Sequence, residues 1–325
     1  MIAIRSLRSP LAGLLLALPL LVAAPLLRAD EGNGWLDRAA QAAHKLNYTG
    51  TIVYQHGGRV ETSRLVHLSD MGVETEKLVN LDGPAREVIR SQGEVRSFYP
   101  DARVVRIEPR TFRNAFPSLS PLQLKSLTEF YEFQKAETGR IAGMDAQAYV
   151  FEPKDGLRYS HKFWAEVGTG LLLKARIINE KNEVVEQFTF TDITLGAHVD
   201  REMVKPSWPP SPPDWTVVDV GPKDVEMKDT GWTVAKLPPG YVKSVEGFRA
   251  LRGKRARVAH LVFSDGLAAV SVFVEPAGGN TRPTGMLQQG GMNVYVRQLD
   301  DQIVTVLGEV PAATVRQIAY SVGRR

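Results

Sequence analysis

Between Thr49 and Glu108 the chain repeats one pattern, a short segment of alternating apolar and polar side chains closed by one or two turn residues. The segments read TGTIVYQH, RVETSRLVHL, VETEKLVNLD, AREVIRS, GEVRSFYP and ARVVRIE. Clear breaks fall at Gly57-Gly58, Asp82-Gly83-Pro84, Gly93 and Pro100-Asp101. A period of two sends successive side chains to opposite faces, so each segment is expected to be a strand with one buried face. Short, evenly spaced strands joined by tight turns pair with their sequence neighbours, which makes an antiparallel meander.

The pattern resumes in YVFEP, YSHKFWAEV, LLLKARIINE and EVVEQFTFTDI, which brings the count towards eleven strands. So long a sheet with so few helices is expected to curl, one face wrapped around a helix or a ligand and the other wet. Two helices are available to it. In GWLDRAAQAAHKL the residues Trp35, Leu36, Ala39, Ala40, Ala43 and Leu46 fall at helical spacing and form a packing stripe. In TFRNAFPSLSPLQLKSLTEFYEF, Ser120 is placed to cap a helix with Pro121 in its first turn. The large apolar residues of that second region, among them Phe112, Phe116, Leu127, Phe130, Tyr131 and Phe133, either line an apolar groove or plug the curled sheet.

Residues 206–213, PSWPPSPP, interrupt the strands with five prolines in eight positions. Proline fixes φ and has no N–H to donate, so this stretch is expected to stay out of both sheets and to act as a semi-rigid strut. Beyond it, ARVAHLVFSDGLAAVSVFVEP is a hairpin about Asp265-Gly266. MNVYVRQL and QIVTVLGEV meet at Asp300-Asp301, and Pro311 opens a helix. The fold class expected is α+β, a large antiparallel domain over 30–205, a linker over 206–218 and a small α+β domain over 219–325.

The first 29 residues place Arg5 and Arg8 before an apolar run from Leu11 to about Ala24, the layout of a secretory signal peptide cleaved after Ala29. Removing that segment takes the 40 basic residues to 37 against 36 acids, a net charge near +1. Nucleic-acid binding therefore loses its compositional support. The chain has no cysteine, which excludes thiol catalysis, thiolate metal sites and disulfide staples. The six histidines, His44, His56, His67, His161, His198 and His260, contain no pair at helical ligand spacing. No nucleophile elbow, phosphate loop or dinucleotide fingerprint is present, so no catalytic residue, cofactor or metal is expected. The close carboxylates Glu74 and Glu76 are expected to lie on a solvated strand face, and Asp300-Asp301 to be turn residues. One cluster of like charge stands out, FRALRGKRAR with Arg249, Arg252, Lys254, Arg255 and Arg257. It suits either an anionic ligand or acidic partner, or the protection of a sheet edge.

Three stretches, GWLDRAAQAAHKLNYTGTIVYQHGG, FSDGLAAVSVFVEP and VTVLGEVP, in this order around the proline spacer, resemble the MucB/RseB family of periplasmic sigma-factor regulators. The resemblance implies a large domain similar to the lipoprotein carriers LolA and LolB, a half-open antiparallel barrel closed on one side by helices. It implies a small domain that helps to bind the periplasmic part of a single-span anti-sigma factor, shielding that factor from proteolysis until lipopolysaccharide or another acyl-chain ligand displaces the regulator. Self-association as a homodimer is a further implication. The alternative is a LolA-like periplasmic carrier of lipid or lipoprotein. Under either reading no enzyme activity is expected, and alternation places Tyr54, Phe98, Phe163, Leu173 and Phe188 on the concave side of the sheet, facing Phe112, Phe116 and Phe130 as a lipid groove.

Overall fold

The computed structural model describes residues 24–91, 93–109, 127–219, 225–249, 257–278 and 284–325. Two sheets divide these residues. The first is an open, twelve-stranded sheet. Strands β1 (Tyr48–His56) to β6 (Val104–Pro109) run outward from its middle through β2 (Arg59–Asp70), β3 (Val73–Asn80), β4 (Glu87–Ser91) and β5 (Glu94–Tyr99). On the other side of β1 lies β11 (Val184–Leu195), followed outward by β10 (Leu172–Ile178), β9 (Ser160–Glu166), β8 (Met144–Pro153) and β7 (Tyr131–Ile141). Each of these neighbours is antiparallel, as the short turns require.

Helix α1 (Ala24–Lys45) lies against the inner face, and the stripe of Trp35, Leu36, Ala39 and Ala40 is buried there. Trp35 sits 4.2 Å from the ring of Tyr149 and 5.8 Å from that of Phe163. Together with Phe133, Phe151 and Phe188 they make one apolar cluster. The sheet is therefore a half-open barrel whose hollow is occupied by a helix. The helix expected around Ser120 and Pro121 lies outside the described residues, which resume at a short helical turn, α2 (Leu127–Phe130), before the chain enters β7.

The proline spacer departs from expectation. It lies on the outer face of the large sheet, where the Ser207 amide and Oγ donate to Glu87 Oε1 and Oε2 at 2.8 and 2.6 Å. Lys77 Nζ donates to the Lys205 carbonyl at 2.7 Å. Trp208 and Trp215 cover Phe98, Ile89 and Val105. Past the last proline, β12 (Thr216–Asp219) joins the sheet as a parallel edge strand against β6. Prolines cannot donate to a ladder, but the serine, lysine and tryptophans between and beside them anchor the stretch all the same. Residues 206–218, read from sequence as a linker free of both sheets, are thus part of the large domain's surface.

The second sheet has seven strands in the order β13 (Val225–Glu226), β15 (Val242–Arg249), β16 (Val258–Ser264), β17 (Ala269–Pro276), β20 (Gln302–Gly308), β19 (Met292–Leu299) and β18 (Gly285–Gln289). Pro311 precedes α3 (Ala312–Ser321), which buries Val315, Ile318 and Ala319 in one cluster with Val304 and Val306. A short pair, β14 (Trp232–Val234) and β21 (Val322–Arg324), closes the C-terminus. Among the described residues no helix is long and apolar enough to cross a membrane.

Candidate functional site

Cross-strand register decides which predicted groove residues share a face. Tyr54 pairs with Phe188, Phe188 with Ala175, and Ala175 with Phe163, so these side chains point the same way. Leu173, two residues before Ala175, shares their cluster, and Phe130 packs at its border. Phe163, Leu173 and Phe188 are buried, while Tyr54 is half-buried at the mouth. Phe98 belongs to the opposite face. Following the pairs outward, Tyr54 opposes Glu61, Leu65 opposes Leu78, Leu78 opposes Val88, and Val88 opposes Ser97. Phe98 is one residue past Ser97, and a shift of one reverses the face; it stacks 6.0 Å from Trp208 of the spacer. Phe112 and Phe116 lie outside the described residues.

Of the basic cluster, Arg252, Lys254 and Arg255 also lie outside the described residues. Arg257 donates to Glu226 Oε2 at 2.6 Å, and half-buried Arg249 is held below its ordinary pKa by burial, against the attraction of Glu108 on β6. The carboxylates Glu74 and Glu76 are engaged in ion pairs, with His44 at 2.8 Å and Arg90 at 2.5 Å.

The most concentrated chemistry lies where the two sheets meet. At one end, Arg158, just before β9, has a fully buried side chain and donates from Nε to Asp265 Oδ2 at 2.6 Å. Its other nitrogens reach Asp155 and the Pro239 carbonyl. Tyr131 donates to the same Asp265 oxygen at 3.0 Å, and the other oxygen, Oδ1, accepts the Leu267 and Ala268 amides. Burial opposes the Arg158 charge, but hydrogen bonding and attraction from Asp265 outweigh it and raise the pKa. The flanking residues Leu157 and Tyr159 accept from Thr314 and Asn293 across the interface. Gly240 is required here: its φ is +81°, and a Cβ would meet the Phe130 ring at 2.2 Å. His161 lies beside this end with neither ring nitrogen hydrogen-bonded among the described residues, and burial pushes its pKa down to about 4.

At the other end, His56 on β1 and Glu186 on β11 are direct cross-strand partners. Glu309, between β20 and α3, approaches them from the small sheet, its Oε1 3.0 Å from His56 Nδ1. Tyr54 donates to Glu186 Oε1. Burial first, then a hydrogen bond to Glu186 and repulsion from its carboxylate, push Glu309 up to about 9. The backbones close in on the group: Gly57 and Gly290 meet, and a Cβ at Gly291 would lie 2.6 Å from Val185 Cβ.

Sequence reasoning missed this junction. Asp265 read as an ordinary hairpin residue, and His56, Glu186 and Glu309 are too far apart in the chain for any spacing rule. Yet Asp265, His56 and Glu309 each lie in one of the three stretches that carried the family resemblance.

An open antiparallel sheet filled by a helix and locked to a second, smaller sheet defines a two-domain binding scaffold. Residues 31–208 match the MucB/RseB N-terminal domain and residues 226–323 the MucB/RseB C-terminal domain. The chain belongs to the MucB/RseB family. It is 31% identical over 321 residues to the sigma factor AlgU regulatory protein MucB of Pseudomonas aeruginosa, covering 95% of this chain and 96% of the relative. With the sigma-E factor regulatory protein RseB of Escherichia coli it shares 26% identity, over 86% of this chain and 87% of that protein. The fold is similar to MucB in the solved Pseudomonas aeruginosa MucA/MucB complex, with a TM-score of 0.72 at 29% identity, covering 91% of this chain and 99% of that one.

Proposed function

We propose that this protein is a periplasmic negative regulator of an envelope-stress sigma factor. It binds the periplasmic domain of a single-span anti-sigma factor, shields it from proteolysis, and is released by lipopolysaccharide or another acyl-chain signal. The supporting observation is the match of both family domains, in order and over nearly the whole chain, to a protein solved in complex with MucA. Residues 1–29 act as the export signal. The part played by the protein is occupancy, with no covalent step.

The physical basis is an exchange of ligands. Tyr54, Phe130, Phe163, Leu173 and Phe188, in or against one apolar cluster with Trp35, are the carbon surface that an acyl chain enters. Each buried methylene contributes about 0.8 kcal/mol. Moving a two-state regulator from 1:99 to 99:1 requires about 5.5 kcal/mol of differential affinity, so about seven methylenes suffice. An acyl chain that intrudes beside α1 shifts the helix and the adjoining interface, and the partner peptide loses the two-domain surface it grips.

Titration of the purified protein with the periplasmic domain of a single-span anti-sigma factor from the same organism tests this reading. A stoichiometric complex is expected, and lipopolysaccharide should dissociate it. Failure to bind that domain, with recovery of mixed lipoproteins from envelope extract instead, would replace the regulator with a carrier.

A further inference from the structure

The His56 end of the interface holds a donor set that the regulatory role leaves unused. One atom each of His56, Glu186 and Glu309 lie within 4.8 Å of one another. In a tetrahedral zinc site with bonds of about 2.1 Å, neighbouring donors are about 3.4 Å apart. A small rotation of the glutamates closes the difference.

Two further details point to a bound cation. Glu186 is only 2% exposed and Tyr54 satisfies Oε1; Oε2 makes no aligned hydrogen bond among the described residues, and the group beside it is the Glu309 carboxyl, a second acceptor unless a proton or a cation lies between the two. An oxygen so placed is costly unless something positive faces it. In addition, His56 Nδ1 lies 3.0 Å from Glu309 Oε1 yet outside hydrogen-bond alignment. Two donors that share one ion stand side by side in this manner without bonding each other.

We infer that His56, Glu186 and Glu309 form a divalent-cation site of the zinc class that bridges the two domains. One imidazole and two carboxylates are borderline-hard ligands, suited to zinc ahead of calcium or magnesium, which want all-oxygen shells. The backbone supports the assembly. β1 and β11 hold His56 and Glu186 in register, and the Gly57, Gly290 and Gly291 contacts bring the small sheet against them. Glu186 lies at the floor, whereas the His56 and Glu309 side chains are 29% and 24% exposed, which leaves an entry path from solvent. A fourth position remains for water. Because Glu309 comes from the small sheet and the other two from the large one, the ion fixes the relation of the domains.

The test uses the untagged full-length mature protein, stripped with a chelator and titrated with zinc chloride, with cobalt(II) as the spectroscopic probe. The expected result is one zinc per chain, visible d–d absorption with cobalt, and an upward shift in melting temperature. Glu309→Gln and His56→Gln should each weaken zinc binding at least about tenfold and abolish the melting shift. Asp229→Asn, on an exposed ion pair elsewhere in the small domain, should leave both intact. If the wild-type protein takes up no zinc at micromolar concentration, or if Glu309→Gln and His56→Gln bind it as well as wild type while remaining folded by circular dichroism, the site is refuted. Magnesium binding in place of zinc would refute it equally.

Discussion

The two ends of the interdomain interface solve the problem of buried charge in opposite ways. At the Arg158 end, the guanidinium and the Asp265 carboxylate are both fully buried, and the lone pairs of Asp265 are taken by Arg158, Tyr131 and two backbone amides. At the His56 end, the Glu186 and Glu309 carboxyl groups lie against each other beside one imidazole, and Glu186 Oε2 makes no aligned hydrogen bond among the described residues. A saturated pair sets the position of the domains without a further ligand. An unsaturated cluster makes that position depend on what else is bound. The contrast assigns the first end the role of pivot and the second that of clasp.

The largest effect is expected at the pivot. Asp265→Ala strands the Arg158 charge and removes the acceptor of Tyr131, and breaking such a pair by deleting one partner costs about 3–5 kcal/mol. Urea denaturation should show this loss, together with a split into two transitions as the sheets uncouple. At the clasp, Gly291→Ala pushes a methyl group into Val185 and is expected to cost about 1–3 kcal/mol, the usual range for overpacking. Val185→Ala in the same chain should restore part of it, because the clash is with that side chain. Equal costs at the two ends in the same titration would erase the distinction between pivot and clasp.

Strand content was legible because alternation survives wherever one face is buried, and β1 to β6 follow the segments read from sequence closely. β7 was missed because only Tyr131 and Phe133 of its eleven residues are buried, so it carries almost no alternation, and its start adjoins a helical turn. The helix stripe led correctly to Trp35, since a 3.6-residue period is a local property. Phe98 shows what local patterning cannot supply. Alternation gives relative faces within one strand, but the absolute face depends on register across four strand pairs, none of them written in the segment itself. The spacer likewise looked free because proline was weighed and the intervening Ser207, Trp208 and Trp215 were not. The Glu186–Glu309 meeting is a property of the assembled sheets alone.

The pivot has one pH-sensitive weakness, which sharpens the comparison further. His161 is buried neutral next to it, with a folded pKa near 4 against an ordinary value of 6.5. Its contribution is fully present above pH 6.5. As pH falls, the unfolded chain takes up a proton that the native state refuses, so stability declines between pH 6.5 and 4. The loss attributable to this residue is about 2 kcal/mol by pH 5. His161→Leu should flatten that part of the profile, and a profile as steep as wild type would show that the dependence does not come from this ring.

The smallest effect belongs to a pair that resembles the clasp only in composition. His44 and Glu74 also bring an imidazole within 2.8 Å of a carboxylate, but their side chains are 45% and 28% exposed. Water already solvates both groups there, and salt screens what attraction remains, so a surface pair of this kind contributes between nothing and about 1 kcal/mol. Glu74→Gln should therefore change the urea midpoint by no more than about 0.5 kcal/mol in equivalent stability and leave zinc uptake as it was. The same two chemical groups matter at His56 because Glu186, only 2% exposed, lies behind them and joins them to the second sheet. A loss of zinc binding in Glu74→Gln would place the metal on the outer end of α1 and leave the domain interface without its clasp.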